Sequence, residues 1–354
     1  MLPGKFGGDL KFGNAIYEFM NNFNNKNILV TGGTGFVGSH LVEELVKQKA
    51  NVVTTFISTS PLSYFFTQGL NKKVRMAQVD VCDFDKIFDI VTKFKIEYIF
   101  HLAAQALVET AYYNPKRTLE SNIMGTVNIL ECTRLFPKVK AVVVASSDKA
   151  YGKLDYQTLR VKESKTKTLR VKKAKYFETD PLKGDHPYEV SKSAADLIAY
   201  SYYKTYGLPV VITRFGNIYG EGDLNFSRII PGILKSIIRQ ATLDVRSDGR
   251  YVRDYLYVKD VVEGYLLLVK YIEEIKGQAF NFGSDETLSV IELIRLIEKI
   301  LKKRINYKIL NIAKNEISYQ SLDWRKIKKT LNWQPKHSIK NTINKVFRWY
   351  KKYA

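Results

Sequence analysis

The chain has 354 residues, of which 45% are hydrophobic and 26% are charged, and its formal net charge is +21. These values fit a globular protein with one large or two ordinary α/β domains. They exclude disordered and fibrous classes, and no apolar run approaches the ~20 residues of a membrane span. The charge fits either an anionic partner or a general enrichment in lysine, and without a zinc-finger or RNA-recognition motif we expect no specific nucleic-acid partner.

Residues 1–26 are rich in Asn and Gly and are predicted to form an N-terminal extension ahead of the fold. From residue 27, short β-branched runs alternate with segments of helical periodicity. The predicted strands cover 27–31, 51–57, 74–80, 97–103, 141–147 and 209–215, and the predicted helices cover 39–48, 84–94, 117–135 and 196–206. This alternation predicts a Rossmann-type doubly wound parallel sheet with helices on both faces.

Beyond residue 220 the alternation weakens. Helical segments at 227–240, 258–274 and 288–302 are separated by strand-like pieces such as 278–283. We therefore predict a dinucleotide-binding domain over 27–220 and a smaller C-terminal α/β lobe over 221–354 that binds substrate. Part of 258–274 could pack back on the sheet.

A basic insertion covers residues 153–176, where nine Lys or Arg residues stand against two acids. Its alternating polar and apolar residues predict a hairpin within a loop. The hairpin is either a flap over an anionic ligand or a solvated ornament of the surface.

A glycine-rich loop follows the first predicted strand and contains Gly33-x-Gly35-x-x-Gly38. The glycines allow a tight turn and a close approach of backbone N–H groups to a pyrophosphate, beside the positive end of the following helix. The acid that usually holds the ribose at the end of the second strand is missing, because residues 56–60 read Phe-Ile-Ser-Thr-Ser. NAD and NADP therefore both remain possible cofactors, and Asp80 is predicted either to approach the adenine or to cap the next helix.

A tyrosine and a lysine lie four residues apart at Tyr188 and Lys192, in a segment predicted to be helical. Side chains at this spacing share a helix face. A nearby ammonium can lower the phenol pKa by about 1–3 units, which would make Tyr188 a usable general base. Ser147, at the end of the fifth predicted strand, completes the set.

Seven segments carry a family signature: TGGTGFVGSHL (31–41), HLAAQ (101–105), SNIMGTVNILE (121–131), SSDKAYG (146–152), YEVSK (188–192), RFGNIYGEGD (214–223) and RDYLYVKD (253–260). Over about 27–350 the chain resembles the extended short-chain dehydrogenase/reductase family, specifically its nucleotide-sugar epimerases and dehydratases. The resemblance implies a tightly held nicotinamide cofactor, which we expect to be NAD with NADP still possible, a nucleoside-diphosphate hexose substrate and oxidation at the C4 hydroxyl of the sugar.

The same resemblance implies roles for individual residues. Ser147, Tyr188 and Lys192 would be the catalytic triad. The cofactor would contact Gly32, Gly35, Phe36, Val37, Gly38, Asp80, Val81, Leu102, Ala103, Ala104, Gln105, Asn122, Tyr188, Lys192 and Phe215. The substrate would contact Asn217 beside the sugar, Arg253 beside the diphosphate, and Arg228. A homodimer would form through helices near 107–135 and 189–206.

The pair Asp148-Lys149 separates two activities within the family. It resembles the pair in CDP-glucose 4,6-dehydratases and in inverting 4,6-dehydratases of UDP-N-acetylglucosamine. Asp148 would be an acid for the departing hydroxyl, and Lys149 either a base at C5 or an electrostatic stabiliser of the enolate. The alternative is that Asp148 and Lys149 form an ion pair at the surface and have no catalytic role. RDYLYVKD instead favours a 4-epimerase, and the net charge leaves a nucleic-acid-binding Rossmann protein as a third hypothesis.

The remaining expectations concern location and metals. Cys82 and Cys132 are too few for a disulfide framework and fit a reducing compartment, and the N-terminus lacks a secretory pattern, so we expect a cytoplasmic protein. The four histidines are too widely spaced to suggest a metal site.

Overall fold

A seven-stranded parallel sheet forms the centre of the computed structural model, which describes residues 23–153, 175–312 and 317–353. Its strands are β1 (Asn27–Thr31), β2 (Asn51–Phe56), β3 (Arg75–Gln78), β4 (Tyr98–His101), β5 (Ala141–Ala145), β6 (Val210–Phe215) and β10 (Ala279–Phe282). They lie in the order β10-β6-β5-β4-β1-β2-β3. This is the doubly wound sheet that the alternating pattern predicts. The N-terminal segment up to residue 22 and residues 154–174 of the basic insertion lie outside the described residues.

Helices cover both faces of this sheet. They are α1 (Phe36–Lys47), α2 (Tyr64–Thr67), α3 (Phe84–Lys93), α4 (Val108–Tyr113), α5 (Pro115–Leu119), α6 (Gly125–Leu135) and α7 (Pro187–Tyr206). Successive strand residues point to opposite faces. In β1, Ile28 and Val30 pack in the apolar cluster that includes α1, whereas Leu29 packs in the cluster that includes α3 and α6.

Local signals in the sequence explain where the helices start and stop. Asp83 caps α3 by accepting a hydrogen bond from the backbone N–H of Lys86. Pro187 occupies the first turn of α7, and Gly207 ends that helix with a left-handed φ of 68°. The helix predicted over 117–135 is α5 followed by a π-helical turn (Glu120–Met124) and then α6.

The C-terminal lobe contains two further small sheets. One joins β11 (Thr287–Ser289), β9 (Val252–Tyr257) and β13 (Tyr319–Gln320), with β7 (Asn217–Tyr219) also paired to β9, and the other joins β12 (Tyr307–Ile309) to β8 (Leu243–Val245). Its helices are α8 (Ile229–Arg239), α11 (Val290–Leu301), α12 (Arg325–Leu331) and α13 (Ile339–Tyr353).

The two parts of the chain interleave at the sheet. Helices α9 (Val258–Lys270) and α10 (Ile272–Ile275) follow β9, and α9 packs against α1, β5 and β6. This return carries the chain to β10, which pairs with β6 in the register Ala279↔Ile212. The strand-like piece at 278–283, expected in the C-terminal lobe, is therefore the seventh strand of the central sheet. Phe23 also packs into the core, with its ring 5.7 Å from that of Tyr98.

Within the described ranges, no helix combines the length and the apolar character required to traverse a bilayer.

Candidate active site

The predicted cofactor residues gather at one edge of the central sheet. Since its strands are parallel, the segments that follow β1, β3, β4 and β6 all leave from this edge. They carry the glycine loop after β1, Asp80 and Val81 after β3, residues 102–105 after β4, and Phe215 at the end of β6. A crevice at such an edge is where open α/β sheets bind ligands.

The glycine loop is shaped by close backbone approaches. Gly32 has a φ of +70°, and a Cβ there would lie 3.0 Å from the Cα of Ala103. A Cβ on Gly38 would lie 2.3 Å from the carbonyl oxygen of Gly32. The first turn of α1 contains Phe36 and Val37, whose backbone N–H groups have no acceptor within the helix. No acid occupies this turn, so the positive helix end is available to a phosphate.

A buried chain of hydrogen bonds supports the glycine loop. The backbone N–H of Ala103 donates to the hydroxyl of Thr31, and that hydroxyl lies 2.9 Å from Nδ1 of His101. Nε2 of His101 lies 3.2 Å from the hydroxyl of Thr126, which donates to the carbonyl of Asn122. Burial, helped by the Lys192 ammonium, lowers the pKa of His101 to about 3. A neutral ring therefore connects the strand ends, a role that the sequence analysis missed.

Asp80 accepts hydrogen bonds from two groups and does not cap the next helix. Its carboxylate accepts from the backbone N–H of Cys82 at 3.0 Å and from the Arg117 guanidinium at 2.5 Å. Burial opposes its ionisation, but these hydrogen bonds outweigh burial and lower the pKa of Asp80. The helix cap, the alternative role predicted for Asp80, is supplied by Asp83 instead. The adenine contact of Asp80 stays a prediction.

Asn122 joins the segment after β4 to the helix of the candidate base. It lies in the π-helical turn and is 2% exposed. Its side-chain oxygen accepts from the backbone N–H of Gln105 at 2.7 Å, and its amide donates to Ser191 at 2.8 Å. The hydroxyl of Ser191 donates in turn to the carbonyl of Tyr188. The predicted cofactor residues Gln105 and Asn122 are thus bonded to each other.

The environment of Tyr188 differs from the expected one. Burial raises the pKa of Tyr188 to about 12, and the carboxylate of Asp148 acts in the same direction. The guanidinium of Arg228 and a hydrogen bond with Ser147 favour the phenolate. The lowered pKa that we expected for Tyr188 is therefore wrong, because the cost of burying a phenolate exceeds the gain from its neighbours.

Lys192 is held under the site by the sheet. Its ammonium donates to the carbonyl of Ala145, the last residue of β5, at 2.8 Å. Burial lowers the pKa of Lys192 to about 8, and the nearby carboxylate of Asp196 only partly opposes this. Asp196 forms a buried two-point ion pair with Arg214. Lys192 is therefore a buried cation with a depressed pKa.

Ser147 connects the candidate acid to the candidate base. It ends the segment after β5, and its hydroxyl donates to Oδ1 of Asp148 at 3.0 Å while also bonding Tyr188. A hydroxyl has a single proton, so donation to the phenolate of Tyr188 requires release of Asp148. Asp148 is only 4% exposed. The interpretation of residues 148–149 as a surface ion pair is therefore wrong for Asp148.

Lys149 reaches across to the C-terminal lobe. Its ammonium donates to the side-chain oxygen of Gln320 on β13, and the amide of Gln320 donates to the carbonyl of Asp148 at 2.9 Å. The sequence analysis missed Gln320, which lies 171 residues from Lys149. No motif or spacing signals a contact at that separation.

The predicted substrate residues come from the C-terminal side of the crevice. Asn217 begins β7, and one residue separates it from the end of β6. Arg228 precedes α8, pairs with Asp223 at 3.2 Å and acts electrostatically on Tyr188. Arg253 lies on β9, and its guanidinium donates to the carbonyl of Val252. Their contacts with substrate stay predictions.

Comparisons with known proteins agree with this geometry. The sequence profile of the NAD dependent epimerase/dehydratase family matches residues 28–283. A CDP-glucose 4,6-dehydratase from Salmonella typhimurium is 30% identical, with 94% of this chain and 92% of that protein covered.

Two solved structures are also similar to the chain. A UDP-glucose 4-epimerase from Thermotoga maritima has a TM-score of 0.78 and 28% identity, covering 92% of this chain and 99% of that one. A dTDP-glucose 4,6-dehydratase from Streptomyces venezuelae, solved with NAD, has a TM-score of 0.79 and 25% identity, covering 92% and 97%.

The site and the comparisons lead to the same assignment. The glycine loop and the first turn of α1 can accept a phosphate, and the family profile matches most of the chain. The fold class expected from the sequence is confirmed, and so is the resemblance. The chain belongs to the NAD-dependent epimerase/dehydratase family of nucleotide-sugar enzymes.

Proposed function

We propose that the protein is a nucleotide-sugar 4,6-dehydratase that converts a nucleoside-diphosphate hexose into its 4-keto-6-deoxy derivative. The observation that carries this proposal is the position of Asp148 and Lys149. Asp148 is buried and accepts a hydrogen bond from Ser147. Lys149 lies next to it and donates a hydrogen bond to Gln320. A 4-epimerase rotates its keto sugar and needs neither an acid nor a base for an elimination.

Each residue of the site has a separate role in this reaction. Tyr188 takes the proton of the C4 hydroxyl, and Ser147 donates a hydrogen bond to the phenolate or to the new carbonyl. The 4-keto group acidifies C5–H. Lys149 removes that proton or stabilises the resulting enolate, and Asp148 protonates the C6 hydroxyl, which leaves as water. The hydride taken from C4 is returned to C6 and a proton to C5, so the net change is the loss of one water molecule.

The residues present fit NAD. The close approach of Gly32 to Ala103 and the carboxylate-free first turn of α1 leave room and positive potential for a pyrophosphate. When bound, NAD supplies the hydride acceptor beside C4, and its oxidised ring adds a positive charge. A cation close to Tyr188 would favour the phenolate and oppose the effect of burial on its pKa.

A 4-epimerase is the second candidate, because Tyr188, Ser147 and Lys192 serve it equally well. The likeness to a UDP-glucose 4-epimerase supports it. Incubation with CDP-, dTDP-, UDP- and GDP-hexoses separates the two activities. We expect a 4-keto-6-deoxy product, and recovery of only the C4-inverted sugar from every substrate would contradict the dehydratase.

Lys149→Met sharpens this comparison. In a dehydratase, loss of the Lys149 ammonium should lower product formation by about a hundredfold or more, which is within the range for a lost acid–base group. In an epimerase, turnover stays close to that of the unchanged protein. Lys153→Met, which removes an exposed lysine nearby, is the matched control and retains full activity in either case.

We further propose a homodimer that works in the cytoplasm. Apolar side chains on α4, α7 and the π-helical turn are exposed: Tyr113 is 81% exposed, Leu197 55%, Met124 48% and Tyr200 46%. Such a surface is typical of an interface. Both cysteines are free thiols, which supports the reducing compartment expected from the sequence.

A further inference from the structure

Gln320 makes contacts that the reaction scheme above does not use. It lies on β13 in the C-terminal lobe, and its side chain is 1% exposed. Its amide N–H donates to the carbonyl of Asp148 at 2.9 Å, and its side-chain oxygen accepts from the ammonium of Lys149. A single amide therefore holds Asp148 and Lys149, the first two residues of the 3-10 turn Asp148–Tyr151, here called the catalytic turn.

The two bonds fix the orientation of the amide. The reverse orientation would direct an NH2 group at an ammonium and an oxygen at a carbonyl, so neither bond could form. Gln320 is almost fully buried, so solvent does not replace a partner that its amide loses, and a broken bond costs the desolvation of that amide. The contact with Gln320 therefore sets the position of the Lys149 ammonium.

The strand itself is held in register with the predicted substrate strand. Gln320 pairs with Arg253 of β9, and two residues further on the backbone N–H of Leu322 donates to Asp254 at 2.7 Å. Arg253 is the residue expected beside the diphosphate. The position of Gln320 is therefore tied to the part of the lobe that would bind the nucleotide.

We infer that Gln320 is a positioning residue for the elimination step, which aims the Lys149 ammonium at the sugar and ties the catalytic turn to the strand that carries Arg253. The inference rests on the proposed function for the step that it serves. The contact between Gln320 and Lys149 can be tested independently of that function.

The first measurement follows single turnover of Gln320→Leu and Gln320→Glu with the substrate of the unchanged protein. Leucine removes both bonds, whereas glutamate keeps an acceptor for Lys149. We expect Gln320→Leu to oxidise C4 at a normal rate but to eliminate water about a hundredfold more slowly, as for a misplaced catalytic group, so reduced cofactor accumulates. Gln320→Glu should stay within about tenfold of the unchanged protein. Gln48→Leu, which removes a similarly buried glutamine distant from the site, should keep both rates.

The second measurement needs no substrate. Acylation of Lys149 by acetic anhydride is followed by peptide mass spectrometry and normalised to Lys153. Release of the ammonium by Gln320→Leu should raise the labelling of Lys149 several-fold, whereas Gln48→Leu should not. If Gln320→Leu fails to fold, Gln320→Asn carries the test, because its amide is one methylene shorter and cannot reach either partner, so the labelling of Lys149 should rise as it does for leucine.

The outcomes separate the two proposals. Changed labelling together with slowed elimination supports the positioning role. Changed labelling in a protein that forms no 4-keto-6-deoxy product supports the contact and removes the proposed dehydratase function. Unchanged labelling of Lys149 in Gln320→Leu, or equal slowing of C4 oxidation and elimination in that variant, overturns the role of Gln320.

Discussion

The ionisable groups of the candidate site are governed by burial as much as by their partners. The sequence identifies Tyr188, Lys192 and Ser147, because their spacing and their places after strand and loop are local features. It does not give their pKa values, since burial is set by residues distant in the chain. Burial moves the pKa of Tyr188 up to about 12 and that of Lys192 down to about 8. The role of Gln320 cannot be predicted from the sequence for the same reason, because its partners are distant in the chain.

Lys192 is predicted to cost stability at neutral pH. Its ordinary pKa is 10.5, and in the fold it is about 8. Below pH 8 the residue is charged in both states and the full cost is present. Between 8 and 10.5 the unfolded chain keeps a proton that the folded chain has lost, so the cost fades as pH rises. At about 1.4 kcal/mol per pKa unit, less about 1 kcal/mol for the lost bond to Ala145, Lys192→Met should add about 2 kcal/mol at pH 7.

Urea unfolding at pH 7 and at pH 10.5 checks this prediction. The gain of Lys192→Met should disappear at the higher pH, while the variant is inactive throughout. Lys204→Met removes an exposed lysine from the same helix and should leave stability unchanged at both pH values. A Lys192→Met variant less stable than the unchanged protein at pH 7 would contradict the assigned cost of burial.

The glycine loop and α1 form an element whose sequence pattern was sufficient to locate it. The motif predicts a turn, a helix start and a phosphate cradle, and all three concern neighbours in the chain. The helix starts at Phe36, three residues before the predicted start at Ser39, because Gly35 already acts as its N-terminal cap residue. In contrast, the π-helical turn before α6 has no signal in the sequence.

Two glycines of the loop should respond differently to substitution by alanine. A Cβ on Gly38 would lie 2.3 Å from the carbonyl oxygen of Gly32, and this contact involves only backbone, so Gly38→Ala should cost about 3 kcal/mol of stability. A Cβ on Gly35 would meet only that oxygen, at 3.2 Å. Gly35→Ala should cost less than about 1 kcal/mol.

NAD binding distinguishes the two variants further. The methyl group of Gly35→Ala would stand where the pyrophosphate is expected, so we predict a folded protein with at least about tenfold weaker NAD binding. Calorimetric titration with NAD and thermal unfolding provide both numbers. Equal melting temperatures for the two variants would argue against the packing described for α1.

At the scale of the whole molecule, the division into two parts is less sharp than the sequence indicates. The crossing of α9 and the placement of β10 beside β6 return the C-terminal half to the central sheet. Periodicity identifies these segments as helix and strand but does not show which sheet they join, because each of the sheets accepts the same apolar pattern. A surface pattern likewise does not reveal which exposed apolar residues meet a second chain.

The proposed dimer can be tested with Leu197→Glu combined with Tyr200→Glu. Both residues are exposed on α7, and two carboxylates would be costly to bury in an interface. We expect the unchanged protein to sediment as twice 40.7 kDa and the variant as a monomer. Ile312→Glu, at a residue 60% exposed in the other lobe, serves as the control and should remain dimeric. A monomeric unchanged protein at micromolar concentration would refute the proposal.

The two ends of the basic insertion are fastened to each other beside the catalytic turn. The hydroxyl of Tyr176 donates to the carbonyl of Gly152 at 2.6 Å, and its ring stacks on that of Tyr151 with centroids 4.9 Å apart. Closing a longer or shorter loop between fixed anchors changes the entropy of the chain only slowly with its length. A change in the length of the sequence between these anchors should therefore leave Asp148 and Lys149 in place.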